Sequence, residues 1–311
     1  MIFIHQILNF LSENRIDYDT ESINGISVVI AHTPQNGQVT IIPVPITSTT
    51  PQEAEDYARS VESCIEKIVE KTGARPYIIA QDRWYGQEEM MKTRLLAHLG
   101  IFTQIYARNC EIHRIDKTVA ADFLNRNHSY GDATCRYRYG LYLKRHTGHN
   151  SGSSDVVPGT LVAVATFSNA RSWVKGEKTI RSYEWTRYAS LPGLRISGGM
   201  GKLLKAFIEE VRPDDIMTYA DLEWSEGDVY KALGFSLEGY RQGGIYFLMS
   251  ASSKRIILSD KPCVGVDMPP PARGCLSGAR AGVNGNTGLP DNVYFKNFGS
   301  NKYRLKLTDY H

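Results

Sequence analysis

Apolar residues along the chain recur with two different periods, and the switches between them mark out its elements. Residues 1–11 are apolar but interrupted by His5, Gln6 and Asn9, the pattern of an amphipathic helix. β-Rich runs at 26–30 and 39–46 predict two strands, and Thr33-Pro34-Gln35-Asn36-Gly37 between them has hairpin-turn composition. Pro43 and Pro45 suit an edge strand or a strand end, because proline has no N–H to give to a ladder. From 51 to 72 the period is helical. Ala54, Tyr57, Ala58, Val61, Ile65 and Ile68 form one stripe, Thr50 can cap, Pro51 fits the first turn and Gly73 ends the helix. A short strand at 77–80 and a helix at 87–99, stopped by Gly100, complete a small α/β unit over residues 1–105.

Beyond that point the same patterns predict a strand at 110–115, a helix at 117–125, an alternating strand at 136–143 and strands at 161–167 and 181–188. A glycine turn and a helix follow, then a strand at 217–220, a short helix at 227–233 and a strand at 245–249. Strands that meet, followed by a helix crossing to a further strand, describe a second α/β unit over 106–250 with a partly parallel sheet. Residues 146–155, rich in Gly, Ser and Asn, should loop out. The remainder, 251–311, reads as a Gly- and Pro-rich irregular loop at 262–290 and a closing hairpin, 294–298 and 302–307, around Gly299-Ser300-Asn301.

Composition narrows the class without naming a chemistry. A chain of 311 residues with 42% hydrophobic and 22% charged residues can bury a sizeable core in two domains. A net charge of +3 does not by itself call for a nucleic-acid partner, although Lys and Arg are dense between 126 and 145. The five cysteines are odd in number and lack paired ligand spacing, so neither a disulfide framework nor a zinc site is favoured, and a reducing, cytoplasmic setting is expected. No apolar run of about 18 residues predicts a membrane span.

Chemistry concentrates between Leu194 and Tyr240. In Arg195-Ile-Ser-Gly198-Gly199-Met-Gly201-Lys202, glycines permit positive φ and close backbone approach, and the helix that follows carries Leu203, Leu204, Phe207, Ile208 and Val211 on one face. Such a helix packs on a sheet with its amino end free to hold an anion. Glu184 lies on the strand entering this turn, where a carboxylate can take a proton or pair with Arg181 or Arg187. Asp221, at a strand's carboxyl end, is a second base candidate or a cap for the turn at 222–225. His128 follows a helix and either shuttles a proton or satisfies backbone groups. Arg136 and Arg138 share one face of a strand that carries tyrosines on the other, an arrangement open both to nucleic acid and to ordinary sheet packing.

The order of strand, glycine turn, helix and strand, followed by Val229-Tyr230-Lys-Ala-Leu-Gly-Phe235, resembles the GCN5-related N-acetyltransferase superfamily. The turn departs from that family's pattern in one respect, since Met200 occupies the expected second glycine and Gly201 falls one place later. Residues 106–112, 123–128, 219–224 and 294–307 extend the likeness to acetyltransferase-like proteins of phages and mobile elements that carry an N-terminal nuclease-like domain, and Asn127-His128 with residues 219–230 are distantly similar to Mom-type DNA-modifying acyltransferases. The resemblance implies a GNAT-like mixed sheet with flanking helices, preceded by a degenerate restriction-endonuclease-like α/β domain. It implies acetyl-CoA or another acyl-CoA held by Arg195, Gly198, Gly199, Gly201 and Lys202. Tyr230 would protonate the departing thiolate, and the acceptor would be a nucleobase or another amine associated with DNA or RNA. The hairpin at 26–46 contains no Asp or Glu, and Asp17, Asp19, Glu21 and Asp82 lack nuclease spacing, so the N-terminal unit is expected to be inactive. A non-catalytic nucleic-acid-binding accessory protein and a metal-dependent nuclease are the alternatives.

Overall fold

The computed structural model describes residues 3–34, 37–145, 156–248, 255–258 and 292–309. The loops expected at 146–155 and 262–290 lie outside them. Helix α1 (Phe3–Glu13) buries Phe3, Ile7, Phe10 and Leu11 against a sheet. Its strands are β1 (Asp17–Ile23), β2 (Ile26–Thr33), β3 (Gly37–Val44) and β4 (Tyr77–Ala80), in that spatial order. Between β1 and β2, Asn24 and Gly25 both have positive φ, 53° and 79°, and Ile23 pairs with Ile26. This is the two-residue hairpin turn whose twist matches the strands. Pro43 lies beyond Ile41, the last β3 residue paired with β2, and pairs only with Ile79 of β4, so its missing N–H takes nothing from the β2 ladder.

Strands β3 and β4 are parallel because α2 (Pro51–Thr72) carries the chain across. Thr50 caps α2 by accepting from Glu53 N–H, Gly73 closes it in the left-handed region at φ 72°, and Ala54, Ala58, Val61, Cys64, Ile65 and Ile68 are buried. Two helices that pack together follow β4, α3 (Gln81–Gly86) and α4 (Glu88–His98).

Strand β5 (Thr103–Tyr106), a one-turn 3₁₀ helix at Ala107–Asn109, β6 (Cys110–Arg114), α5 (Lys117–Asn127), β7 (Tyr137–Leu143), β8 (Leu161–Phe167), β9 (Arg171–Lys175) and β10 (Lys178–Ser190) come next. They are followed by β11 (Leu194–Ser197), α6 (Gly199–Val211), β12 (Asp215–Asp221), α7 (Asp228–Ala232), β13 (Ser236–Arg241), β14 (Ile245–Leu248), β15 (Ile256–Ile257), β16 (Val293–Lys296) and β17 (Ser300–Lys306). The large mixed sheet runs β13-β17-β12-β10-β8-β7-β6, with β9 added on β10. Helix α6 covers it with Leu203, Leu204 and Phe207, and the Phe207 ring stacks on Phe167 at 3.9 Å. The mixed α/β sheet with flanking helices is thus present as expected.

The closing hairpin is not. Strand β16 pairs with β14, in a small sheet that covers α2, whereas β17 inserts between β12 and β13. Asn297 to Gly299 therefore link two sheets and do not turn a ribbon back on itself. The two halves of the chain also interlock: β5 pairs in parallel with β11, and Ile78 N–H donates to Glu223 O at 2.7 Å. No helix of the described residues is long and apolar enough to cross a membrane.

Candidate functional site

The two central strands of the large sheet part company. Strands β10 and β12 are paired only at Ser182↔Asp215, Tyr183↔Ile216 and Glu184↔Met217. Past that point β10 continues along β8, with a register shift between Trp185 and Arg187, while β12 continues along β17 to Asp221. Two parallel strands that diverge toward their carboxyl ends leave a wedge, the position where open α/β sheets take ligands. At its base Thr218 Oγ1 donates to Trp185 O at 3.1 Å.

The glycine turn stands beside this wedge. Gly198 has φ 76° and precedes α6 without any side-chain cap, so the first amides of the helix have no intrahelical or capping acceptor. Uncapped N–H groups at the positive end of a helix dipole fit a diphosphate. Gly198 is exposed, with room for a Cβ 3.7 Å from Ala107 Cβ. Gly199 is glycine for a different reason: a Cβ there would stand 2.9 Å from Ile196 Cγ2 and 3.4 Å from the Tyr188 hydroxyl. A Cβ on Gly201 would stand 3.2 Å from Leu233 Cδ2, which packs α7 onto the start of α6. Lys202 does not point outward; its Nζ donates to Ala107 O at 3.0 Å and to Cys110 O at 2.5 Å. Arg195 is exposed, with its guanidinium 5.1 Å from the Phe102 ring centroid.

Tyr230, half-buried on α7, sits among Trp185, Phe235 and Tyr303, with ring centroids 6.0, 5.7 and 5.8 Å away. Burial holds its phenol above the usual tyrosine range, partly offset by a hydrogen bond with Thr218. The phenol thus keeps its proton at neutral pH. Tyr188, whose hydroxyl faces Gly199, is also raised by burial. The structure therefore brings Gly199, Gly201 and Tyr230 together around the wedge and adds Tyr188, which the sequence pattern did not single out. Its only sequence signal is its place on the strand leading into the turn.

The other candidates gather on the side facing α3 and α4. Asp221 accepts from Tyr130 Oη at 2.8 Å and from Glu223 N–H at 3.0 Å, so it does cap its turn while also holding a phenol. His128 accepts at Nδ1 from Tyr130 N–H at 3.1 Å, which places its ring proton on Nε2. Burial, then the charges of Arg187, Arg94 and Arg83, push its pKa down to about 3. Glu184 is half-buried at the last paired rung of β10. Neither expected partner binds it: Arg187 donates to Gly131 O and Thr186 O, and Arg181 pairs with Asp214. Arg136 is exposed, whereas Arg138 folds back to donate to Cys135 O at 2.6 Å. The basic strand face is thus reduced to one outward guanidinium.

No protein-family model matches the chain, and no curated protein sequence does. Among solved structures it is similar to Eis1 from Mycobacterium abscessus, with 14% identity and a TM-score of 0.31 over 45% of this chain and 34% of that one. It is similar to yncA from Salmonella typhimurium, solved with its cofactor acetyl-CoA, with 13% identity and a TM-score of 0.33 over 65% of this chain and 96% of that one. It is also similar to the AtaT toxin bound to the C-terminus of the antitoxin AtaR and acetyl-CoA, with 15% identity and a TM-score of 0.26 over 42% of this chain and 87% of that one. This chain thus spans about a third of Eis1. Overlaps this shallow carry no weight on the chemistry of the site.

Proposed function

We propose that the chain is an acyl-CoA-dependent N-acyltransferase, with acetyl-CoA or another acyl-CoA as donor. One observation carries this reading: a parted pair of central strands flanked on one side by an uncapped glycine helix start and on the other by the phenol of Tyr230. The amides of residues 199–201 would hold the diphosphate, while Arg195 stands at the outer lip of the turn. The coenzyme would supply an activated acyl thioester. Tyr230 holds a proton at Oη that a departing thiolate can take, and Tyr188 and Trp185 exclude water from the wedge. Glu184 and Asp221 are the carboxylates that would accept a proton from an incoming amine, directly or through water.

A nucleobase or other nucleic-acid-associated amine as acceptor, in a phage or mobile-element setting, rests on the sequence resemblance. Arg136 is the one exposed cation of the predicted pair that supports it. The nuclease alternative lacks comparable support: Asp82 is bound by Arg255 at 2.7 Å, and Asp17 and Asp19 stand exposed on the edge strand β1. Calorimetric titration with acetyl-CoA tests the proposal. Saturable binding with one site per chain is expected, and no heat at millimolar coenzyme would remove it.

A further inference from the structure

Beyond Asp221, at the carboxyl end of β12, side chains from the two halves of the chain meet. Helices α3 and α4 present Arg83, Gln87, Arg94 and His98 to the loop after α5 and to the turn after β12. The side chains meeting there leave buried polar atoms without a partner among the described residues: Arg83 Nη1, Trp224 Nε1 and Gln87 Oε1. A buried donor or acceptor is costly when nothing completes it. Orphans of this kind mark a place for water or a ligand.

The side chains present select between these. Arg94 lies over the Trp224 ring at 4.7 Å, and among the described residues it makes no ion pair and donates no hydrogen bond, although a guanidinium carries five donors. The nearby carboxylates are already engaged. Arg255 holds Asp82 and Glu223, at 2.7 Å each, and Asp221 accepts from Tyr130 and Glu223 N–H. Arg83 pairs through Nε with Glu223 at 3.4 Å and through Nη2 with Asp221 at 3.9 Å, leaving its Nη1 over. His128 presents Nε2–H, its Nδ1 being taken by Tyr130. Guanidinium, imidazole and indole N–H groups without acceptors complement an oxyanion. Arg83 is 6% exposed and Trp224 1%, too deep for a nucleic-acid backbone to reach.

We propose that the donors of Arg83, Arg94, His128 and Trp224 together receive the oxyanion, a carboxylate or a phosphate, of a small amine acceptor. This rests on the acyltransfer reading only for the word acceptor. The link is β12, which carries Thr218 at the base of the wedge and, three residues on, Asp221, whose partner Tyr130 lies under Arg83. An amine tethered to an anion held there would be fixed in orientation relative to Tyr230.

Two arms test it. Without coenzyme, inorganic phosphate and acetate are compared with chloride at matched ionic strength. Thermal midpoints of the wild type should rise with one or both oxyanions, which also tells phosphate from carboxylate. Arg94→Gln should abolish that rise, and Trp224→Phe, which keeps the ring and removes the N–H, should weaken apparent anion affinity by about threefold. With acetyl-CoA, thiol release is followed for phosphoethanolamine against ethanolamine and for β-alanine against propylamine. Arg94→Gln should lower kcat/KM for the anionic member of a pair by at least about tenfold more than for the neutral member. No oxyanion-specific stabilisation of the wild type, or an equal effect in both variants and the wild type, overturns the proposal. Oxyanion stabilisation without thiol release for any amine retains the anion binding and overturns its role in acyl transfer.

Discussion

Tyr230 and two half-buried histidines show how much one side chain's surroundings decide. The Tyr230 phenol stays protonated because burial among Trp185, Phe235 and Tyr303 disfavours the phenolate. Tyr230→Phe keeps the ring and removes the proton. Expected is a loss of about 10²-fold or more in kcat with acetyl-CoA binding unchanged, read by steady-state kinetics beside calorimetry. An unchanged kcat would reduce Tyr230 to packing. His98 and His128 are each pushed down to about 3, by burial first and then by neighbouring arginines. Their folded values lie below the unfolded value of about 6.5, so the unfolded chain takes up protons first as pH falls. Stability is full above about pH 6.5 and declines below it, the window down to about pH 5 belonging to these histidines before carboxylates titrate. Thermal melts from pH 7.5 to 5 should show a falling midpoint, and His128→Gln should flatten the slope. The sequence marked Tyr230 and His128 as candidates, but their neighbours come from distant segments, so neither the shifts nor the roles of Tyr188, Arg83 and Arg94 were legible.

At the level of elements, local signals were read where they were local. Helix α2 announced its cap, its apolar stripe and its glycine stop within a single run of sequence, and it forms as expected. Strand β1 went unread because Asp17, Asp19, Thr20 and Glu21 give it a polar face, as an edge strand open to water requires. The adjoining Asn24-Gly25 was nevertheless a direct hairpin signal. The parting of β10 from β12 had no local signal at all, since it depends on which neighbours each strand finds. The start of α6 carries a prediction of its own. Gly199→Ala should cost about 1–3 kcal/mol in urea denaturation, because its Cβ would collide with Ile196. Gly198→Ala should cost only about 1 kcal/mol, from its positive φ alone. The reverse order would show that the packing assigned to Gly199 is wrong. A loss of coenzyme binding in Gly199→Ala would then follow from disturbed packing and would not locate the phosphates.

Across the whole molecule, the two halves act as one framework. Arg255 reaches Asp82 on one side and Glu223 on the other, with these side chains 10%, 1% and 0% exposed. Removing the shared cation leaves two buried carboxylates with only Arg83 nearby. Arg255→Met should destabilise by about 3–5 kcal/mol, and adding Glu223→Gln should recover part of that loss in a double-mutant cycle. Additive effects would mean that the ion pairs are not coupled. The order of strands has a further consequence. Strand β17 lies between β12 and β13, although it is made some sixty residues after β13. A nascent polypeptide arrested before residue 300 would hold both neighbours but not the strip that zips them together. The scaffold beneath Tyr230 therefore closes only once β17 has been made, and until then β12 and β13 present unsatisfied edges for which a chaperone, or another unfinished chain, can compete.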